Sequence, residues 1–303
     1  MSYQHRTDFD FLTVEAFDDG QILRITMNRP EARNAQNRGL LVELGEAFTA
    51  AEADDVVRVV ILAGAGRSFS AGHDMGSEIS VREQTPGPDA HPTIGIHGGT
   101  RHGVENQMLQ EWHYFFSNTV AWRNLRKITV AQVQGNVISA GLMLMWACDL
   151  IVAGEDAVFA DVVSTRLGMC GVEYFAHPWE FGPRKAKELL LTGDSLDADE
   201  AHRLGMVSKV FTNERLAEDT LAFARRISRL PTVTSLLVKD SVNQAVDAMG
   251  FTTALNGAFR LHQLNHAYWR ELNEDGYSVA VPGPATDDWR VVGPPTPIHK
   301  DRP

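Results

Sequence analysis

The chain has 303 residues, 44% of them hydrophobic and 22% charged, with a formal net charge of -11. That length buries a full core in an ordinary globular protein, while the acidic balance excludes an extended nucleic-acid-binding surface and leaves room for a local basic pocket. Cys148 and Cys170 form neither a CxxC pair nor a zinc-spaced set with histidine, so we expect a reduced interior and no metal centre.

No stretch of 18 apolar residues occurs and the first residues lack an apolar signal core, from which we expect a cytoplasmic protein with no membrane partner. Residues 11–17 and 22–27 are apolar runs separated by Asp18-Asp-Gly-Gln, which predicts a β-hairpin ended by Asn28-Arg-Pro-Glu. Leu40, Leu41, Leu44, Ala47 and Phe48 then recur at helical spacing, and residues 57–63 form a buried strand. Strand, helix, strand with short connections is the unit of a right-handed crossover fold. Residues 76–103 are rich in Gly, Pro, His, Ser and Thr without a period, which predicts a long loop; its His91, His97 and His102 receive no role. Met108, Trp112, Phe115, Phe116, Thr119, Val120 and Leu125 share one helical stripe ahead of a central strand at 128–134.

Residues 130–149 organise the rest. A β-branched run reaches a turn and becomes an apolar helix, with Ser139 at the N-cap position. Ala140 and Gly141 follow, so the first N–H groups of that helix emerge beside residues with almost no side chain. Such a terminus holds an oxygen that becomes negative. A second turn rich in small residues, 64–74, offers another N–H at His73. Two such donors, converging, form an oxyanion hole for a thioester enolate, and losing one typically costs about 3 kcal/mol of barrier. Short strands at 150–153 and 157–159 precede an irregular stretch at 160–182, and a helix occupies 183–191. Asp197 reads as an N-cap with Glu200 three residues on, opening a short helix that Gly205 ends. Longer helices follow at 213–230, 233–249 and 252–272, before a proline-rich tail.

Six motifs stand in the order found in the enoyl-CoA hydratase/isomerase (crotonase) superfamily, which the chain resembles from Val14 to Trp269. They are Asn28-Arg-Pro-Glu-Ala-Arg-Asn-Ala35, Phe69-Ser-Ala-Gly-His-Asp74, Gln134-Gly-Asn-Val-Ile-Ser-Ala-Gly141, Ala147-Cys-Asp149, Leu191-Thr-Gly-Asp194 and Asp199-Glu-Ala-His-Arg-Leu-Gly-Met-Val207. The resemblance implies an α/β fold, a crotonase-like ββα spiral core with a C-terminal helical extension. The core would span 1–210, a helical trimerisation region 211–280, and an extended or disordered tail 281–303. It implies an acyl-CoA substrate, coenzyme A entering as part of the thioester with no permanently bound cofactor, and a homotrimer or dimer of trimers. It places the oxyanion donors at His73 and Ala140, beside Gly141, and lines coenzyme A with Arg33, Ala35, Ala71, Gly72, Asp74 and Met75, Arg33 toward the phosphates. Trp112, Phe116 and Met143 would border the acyl group.

The family's hydratases use two glutamates as acid and base. Here the first position is Met143 and the second Val163 or Ser164, none of which exchanges a proton near neutrality. Three readings follow. In the first, Glu173, five residues after Gly168 and near the place where some dienoyl-CoA isomerases of the family carry an aspartate, is the acid/base; the alternative for it is an ion pair with Arg166 or Arg184. The second is oxyanion-only hydrolysis or decarboxylation, and the third a non-catalytic acyl-CoA-binding protein. Asp149 reads as structural, as do Asp161, a strand-end cap, and His177, which Pro178 places in a turn.

Overall fold

The computed structural model describes residues 8–84 and 103–272. Strands β1 (Leu12–Phe17) and β2 (Ile22–Met27) form the expected antiparallel hairpin, with Asp18 and Asp19 at positive φ (52° and 55°) ahead of Gly20. A single 3₁₀ turn, Pro30–Ala32, leads to α1 (Arg38–Ala53), β3 (Val59–Gly64), β4 (Ser68–Ser70) and α2 (Glu78–Gln84). Helix α3 (Gly103–Gln110) continues through a π-helical segment, Glu111–Ser117, into α4 (Asn118–Arg123). Then come β5 (Ile128–Val133), β6 (Asn136–Ile138), α5 (Ala140–Trp146), β7 (Leu150–Gly154), β8 (Val158–Ala160), α6 (Val163–Leu167), α7 (His177–Phe181) and α8 (Pro183–Thr192). Strand β9 (Leu196–Asp197), α9 (Ala198–Leu204), β10 (Lys209–Phe211) and the helices α10 (Leu216–Ser228), α11 (Thr232–Ala248) and α12 (Phe251–Leu272) complete the order.

Three times the chain adds a strand to a large sheet and the next strand to a small one: β3 then β4, β5 then β6, β7 then β8. The large sheet runs β1-β2-β3-β5-β7-β10, parallel beyond the hairpin, and the small one β4-β6-β8-β9. This is the ββα spiral. Alternation along β3 explains the layers: Val59 and Ile61 pack with Leu216 and Ala224 of α10, while Val60 and Leu62 face the main core with α1 and α5. Both faces are covered, so the parallel strands read as unbroken apolar runs. No helix among the described residues is long and apolar enough to cross a membrane.

Several expectations need correction. The stretch read as a loop from 76 begins with α2, because Glu83 folds back to accept hydrogen bonds from the N–H groups of Arg38 (2.8 Å) and Gly39 (3.1 Å), occupying the start of α1. His91 and His97, the rest of that stretch and the tail 281–303 lie outside the described residues, as does His102. The stretch 160–182 is not irregular throughout but holds α6 and α7. His177 starts α7 with Pro178 in its first turn, where proline is favoured. The helix expected from 213 starts at Leu216. Asp197 caps α9 as read, accepting from Glu200 N at 2.8 Å, and Gly205 ends it at φ 92°.

Candidate active site

His73 and Ala140, whose N–H groups are the expected oxyanion donors, lie 67 residues apart in sequence and are brought together by two laced loops. Asn34 is fully buried; its amide donates to Ala65 O (2.9 Å) and Ser68 O (2.8 Å), and its carbonyl accepts from Arg29 N (2.9 Å). Ala71 N donates to Arg33 O (2.9 Å), Gln36 N to Gly72 O (2.8 Å) and Asp74 N to Gln36 O (3.1 Å). A buried ion pair, Arg29–Asp74 at 2.9 Å, locks the ends. Gly72 then faces the start of α5 at φ 91°, so close that a Cβ would stand 2.9 Å from Ile138 O and 3.4 Å from Ala140 N. Only glycine fits there.

Ser139 occupies the expected turn, but its side chain makes no cap hydrogen bond to α5. It is held at φ 48°, ψ −110° by its N–H donating to Ala160 O (2.8 Å), while its Oγ accepts from Val162 N (3.3 Å). The consequence is a helix N-terminus left open. Among the described residues, neither the His73 N–H nor the Ala140 N–H has a hydrogen-bond partner.

The His73 side chain is paired with a buried carboxylate. The His73 ring stacks on Phe115 with centroids 3.7 Å apart, and its Nε2 lies 3.2 Å from Glu173 Oε2. The other carboxylate oxygen, Oε1, faces His262 Nε2 at 3.5 Å. Glu173 is therefore paired with two imidazoles, and not with Arg166 or Arg184. Burial alone would raise its carboxyl; the facing imidazoles of His73 and His262, and the hydrogen bond from His73, outweigh that and bring it down to about 2. It is an ionised acceptor at neutral pH.

Behind the pair, Glu111, His262 and His266 bring three ligand-type atoms within 4.8 Å of one another. The π-helical segment carries both the buried Glu111 and Phe115, the ring that stacks on His73. Gln107 decides how this cluster is used. Arg270 donates to its carbonyl, so its amide group is presented to His266 Nδ1 (2.9 Å) and Glu111 Oε1 (3.0 Å). With Nδ1 accepting, the hydrogen of a neutral His266 sits on Nε2, the atom a metal ion would need, and points at Glu111 Oε1 (2.9 Å) and His262 Nε2 (3.2 Å). His262 donates from Nδ1 to Gly171 O at 2.8 Å. These groups therefore fit a hydrogen-bonded wall behind Glu173 better than a metal site.

A sequence-family model, Enoyl-CoA hydratase/isomerase, matches residues 18–90 and 96–268. The chain belongs to the enoyl-CoA hydratase/isomerase family. EchA13 from Mycobacterium tuberculosis, which carries an enoyl-CoA hydratase name, is 62% identical over 296 residues, covering 98% of this chain and 93% of that protein. The 1,2-epoxyphenylacetyl-CoA isomerase of Escherichia coli is 31% identical over 74% of this chain and 79% of its own. Among solved structures, an enoyl-CoA hydratase-type protein from Mycobacterium smegmatis superposes with a TM-score of 0.76 at 39% identity, covering 89% of this chain and 99% of that one. The fold is thus the crotonase fold, and the protein is an enzyme of hydratase/isomerase type.

The residues read at the expected acid positions, Met143 and Val163 or Ser164, carry no carboxylate. Met143 lies on α5 at 2% exposure, inside the main core. Val163 opens α6 and packs against that core, and the Ser164 hydroxyl donates to Leu190 O, away from the pair. Arg33 is exposed at the mouth of the laced loops, Ala35 and Ala71 half-buried beside it, and Met75 exposed. The Asp74 side chain is taken by Arg29 and Ser77, its N–H by Gln36 O and its carbonyl by the Ser80 hydroxyl, so these bonds commit Asp74 to holding the loop. Phe116 is buried and stacks on Phe259 (4.6 Å), while Trp112, 48% exposed, lies against both. Asp149 is structural as read, accepting from Thr129 and Lys239. Asp161 caps Val163 N and holds the fully buried His177 at 3.0 Å. Reading the sequence missed His262, Glu111 and the side chain of His73; the i, i+4 spacing of His262 and His266 was the available signal.

Proposed function

We propose that the protein acts on an acyl-CoA or enoyl-CoA thioester. Its carbonyl oxygen would sit between the His73 and Ala140 N–H groups, and the Glu173–His73 pair would move a proton to and from the carbon beside the carbonyl. The observation that carries this reading is the 3.2 Å contact between His73 Nε2 and Glu173, on the residue whose own N–H is left without a partner among the described residues. A thioester seated there has its acidified carbon next to the pair. With Met143 and Val163 or Ser164 in place of two glutamates, nothing at those positions activates water, so double-bond isomerisation or another enolate step fits better than hydration. Arg33, Ala35, Ala71, Gly72 and Met75 are the proposed coenzyme A contacts, and Trp112, Phe116 and Met143 the acyl contacts. A trimer or dimer of trimers is part of the proposal, supported by exposed apolar residues along α11 and α12, among them Val238, Val242, Leu261 and Leu264.

The test is product analysis on a panel of 2-enoyl- and 3-enoyl-CoA thioesters. We expect a shifted double bond at unchanged mass. Net gain of water would favour hydration and contradict the reading, and release of free coenzyme A thiol would favour oxyanion-only hydrolysis.

A further inference from the structure

The carboxylate of Glu173 already has a partner at each oxygen, His73 Nε2 at 3.2 Å and His262 Nε2 at 3.5 Å. A carboxylate in that position accepts the hydrogen of His73 Nε2 and orients that ring. The imidazole of His73 is in the opposite condition. Its Nε2–H is directed at the carboxylate, which leaves the lone pair on Nδ1, and Nδ1 is a buried nitrogen with no hydrogen-bond partner among the described residues. Nδ1 is also the ring nitrogen nearer the main chain, hence nearer the N–H that would hold the thioester oxygen. The ring is fixed in plane by Phe115 on one face. A buried, oriented and unpartnered lone pair beside an oxyanion donor is the arrangement of a general base.

Resting on the enolate reading above, we propose that His73 Nδ1 is the atom that takes the substrate proton, and that Glu173, itself held by His262, is the positioning residue that fixes its tautomer. The C–H bond at the α carbon breaks and its electron pair enters the enolate, whose oxygen lies in the hole. The proton forms a new N–H bond at Nδ1, and the resulting imidazolium faces Glu173 across the 3.2 Å contact. Delivery of that proton to the γ carbon completes an isomerisation, and return to the α carbon completes an exchange. No other reactant is needed. The division of labour explains why a family member keeps neither usual glutamate: one residue supplies both an oxyanion donor from its main chain and the base from its side chain.

His73→Ala separates the two contributions, because the main-chain N–H stays while the ring goes. In deuterated buffer with an enoyl-CoA, we expect α-proton exchange to fall by about 10²- to 10⁴-fold in this variant, with coenzyme A affinity kept. Added imidazole, entering the slot against Phe115, should restore at least tenfold of it, which a ring with a merely structural role would not allow. Exchange that survives in His73→Ala but is lost in Glu173→Gln would overturn this assignment and return the base to Glu173, with the enolate reading intact. No exchange in the wild type would overturn both. Nitrogen-15 correlation spectra of the wild-type imidazoles give a readout independent of whether the variant folds: a hydrogen on Nε2 of His73 supports the assignment, and one on Nδ1 alone overturns it.

Discussion

Replacing Glu173 by glutamine removes the one negative charge that His73 and His262 both face. Those imidazoles outweigh burial and bring the carboxyl from 4.5 to about 2. That gap corresponds to about 3 kcal/mol of folding stability at neutral pH, an upper figure because a glutamine still accepts one hydrogen bond from His73. The folded value lies below the unfolded one, so between pH 4.5 and about 2 the unfolded chain binds more protons. The contribution is therefore complete above pH 4.5 and disappears as pH falls toward about 2. Urea unfolding of wild type and Glu173→Gln should show a difference of roughly 1–3 kcal/mol at pH 7 that shrinks steadily below pH 4.5. A difference that does not change with pH, or a variant as stable as the wild type at pH 7, would refute the paired-carboxylate geometry.

Gly141→Ala puts a Cβ 2.6 Å from Ser70 O, forcing apart the loop and helix that bear the His73 and Ala140 N–H groups, the proposed oxyanion donors. We expect kcat/KM to drop about 10²- to 10³-fold, as for loss of one donor, and unchanged kinetics would count against the hole. Burial raises the Glu180 carboxyl to about 8, so the folded chain keeps a proton that the unfolded chain releases near 4.5, and this residue costs stability progressively as pH rises through that range. Glu180→Gln should melt close to the wild type near pH 4.5 and above it at pH 8; the reverse order would contradict its burial. Burial, with Asp149 adding to it, pushes the Cys148 thiol up to about 12, whereas Cys170 is exposed. A maleimide should label Cys170 in the native protein and both cysteines after denaturation, and native labelling of Cys148 would show that α5 is more open than described.

The parts of this molecule legible in its sequence are those set by neighbours in the chain. The β1–β2 turn, the Asp197 cap and the stop at Gly205 each depend on residues within four positions, and the small residues around His73 and Ala140 marked the close approach of loop and helix. What was not legible depends on distant contacts. Helix α2 exists because Glu83 reaches the start of α1, and α7 begins at a histidine held by Asp161. The π-helical segment lies inside a stripe that reads as ordinary α-helix, because apolar positions alone do not mark which carbonyl each N–H reaches. Glu173 was recognisable as a candidate, but its partner His73 lies 100 residues away, and His262 comes from the C-terminal helix α12. No local period announces such a convergence.

The most direct test of the central claim, enolate formation in the His73/Ala140 hole, is proton exchange at the α carbon of a short series of acyl- and enoyl-CoA thioesters in deuterated buffer, run beside Glu173→Gln. The enolate mechanism predicts deuterium at the α carbon with the wild-type enzyme and strongly reduced incorporation with the variant. Tight thioester binding with no deuterium incorporated from any member of the series would contradict it.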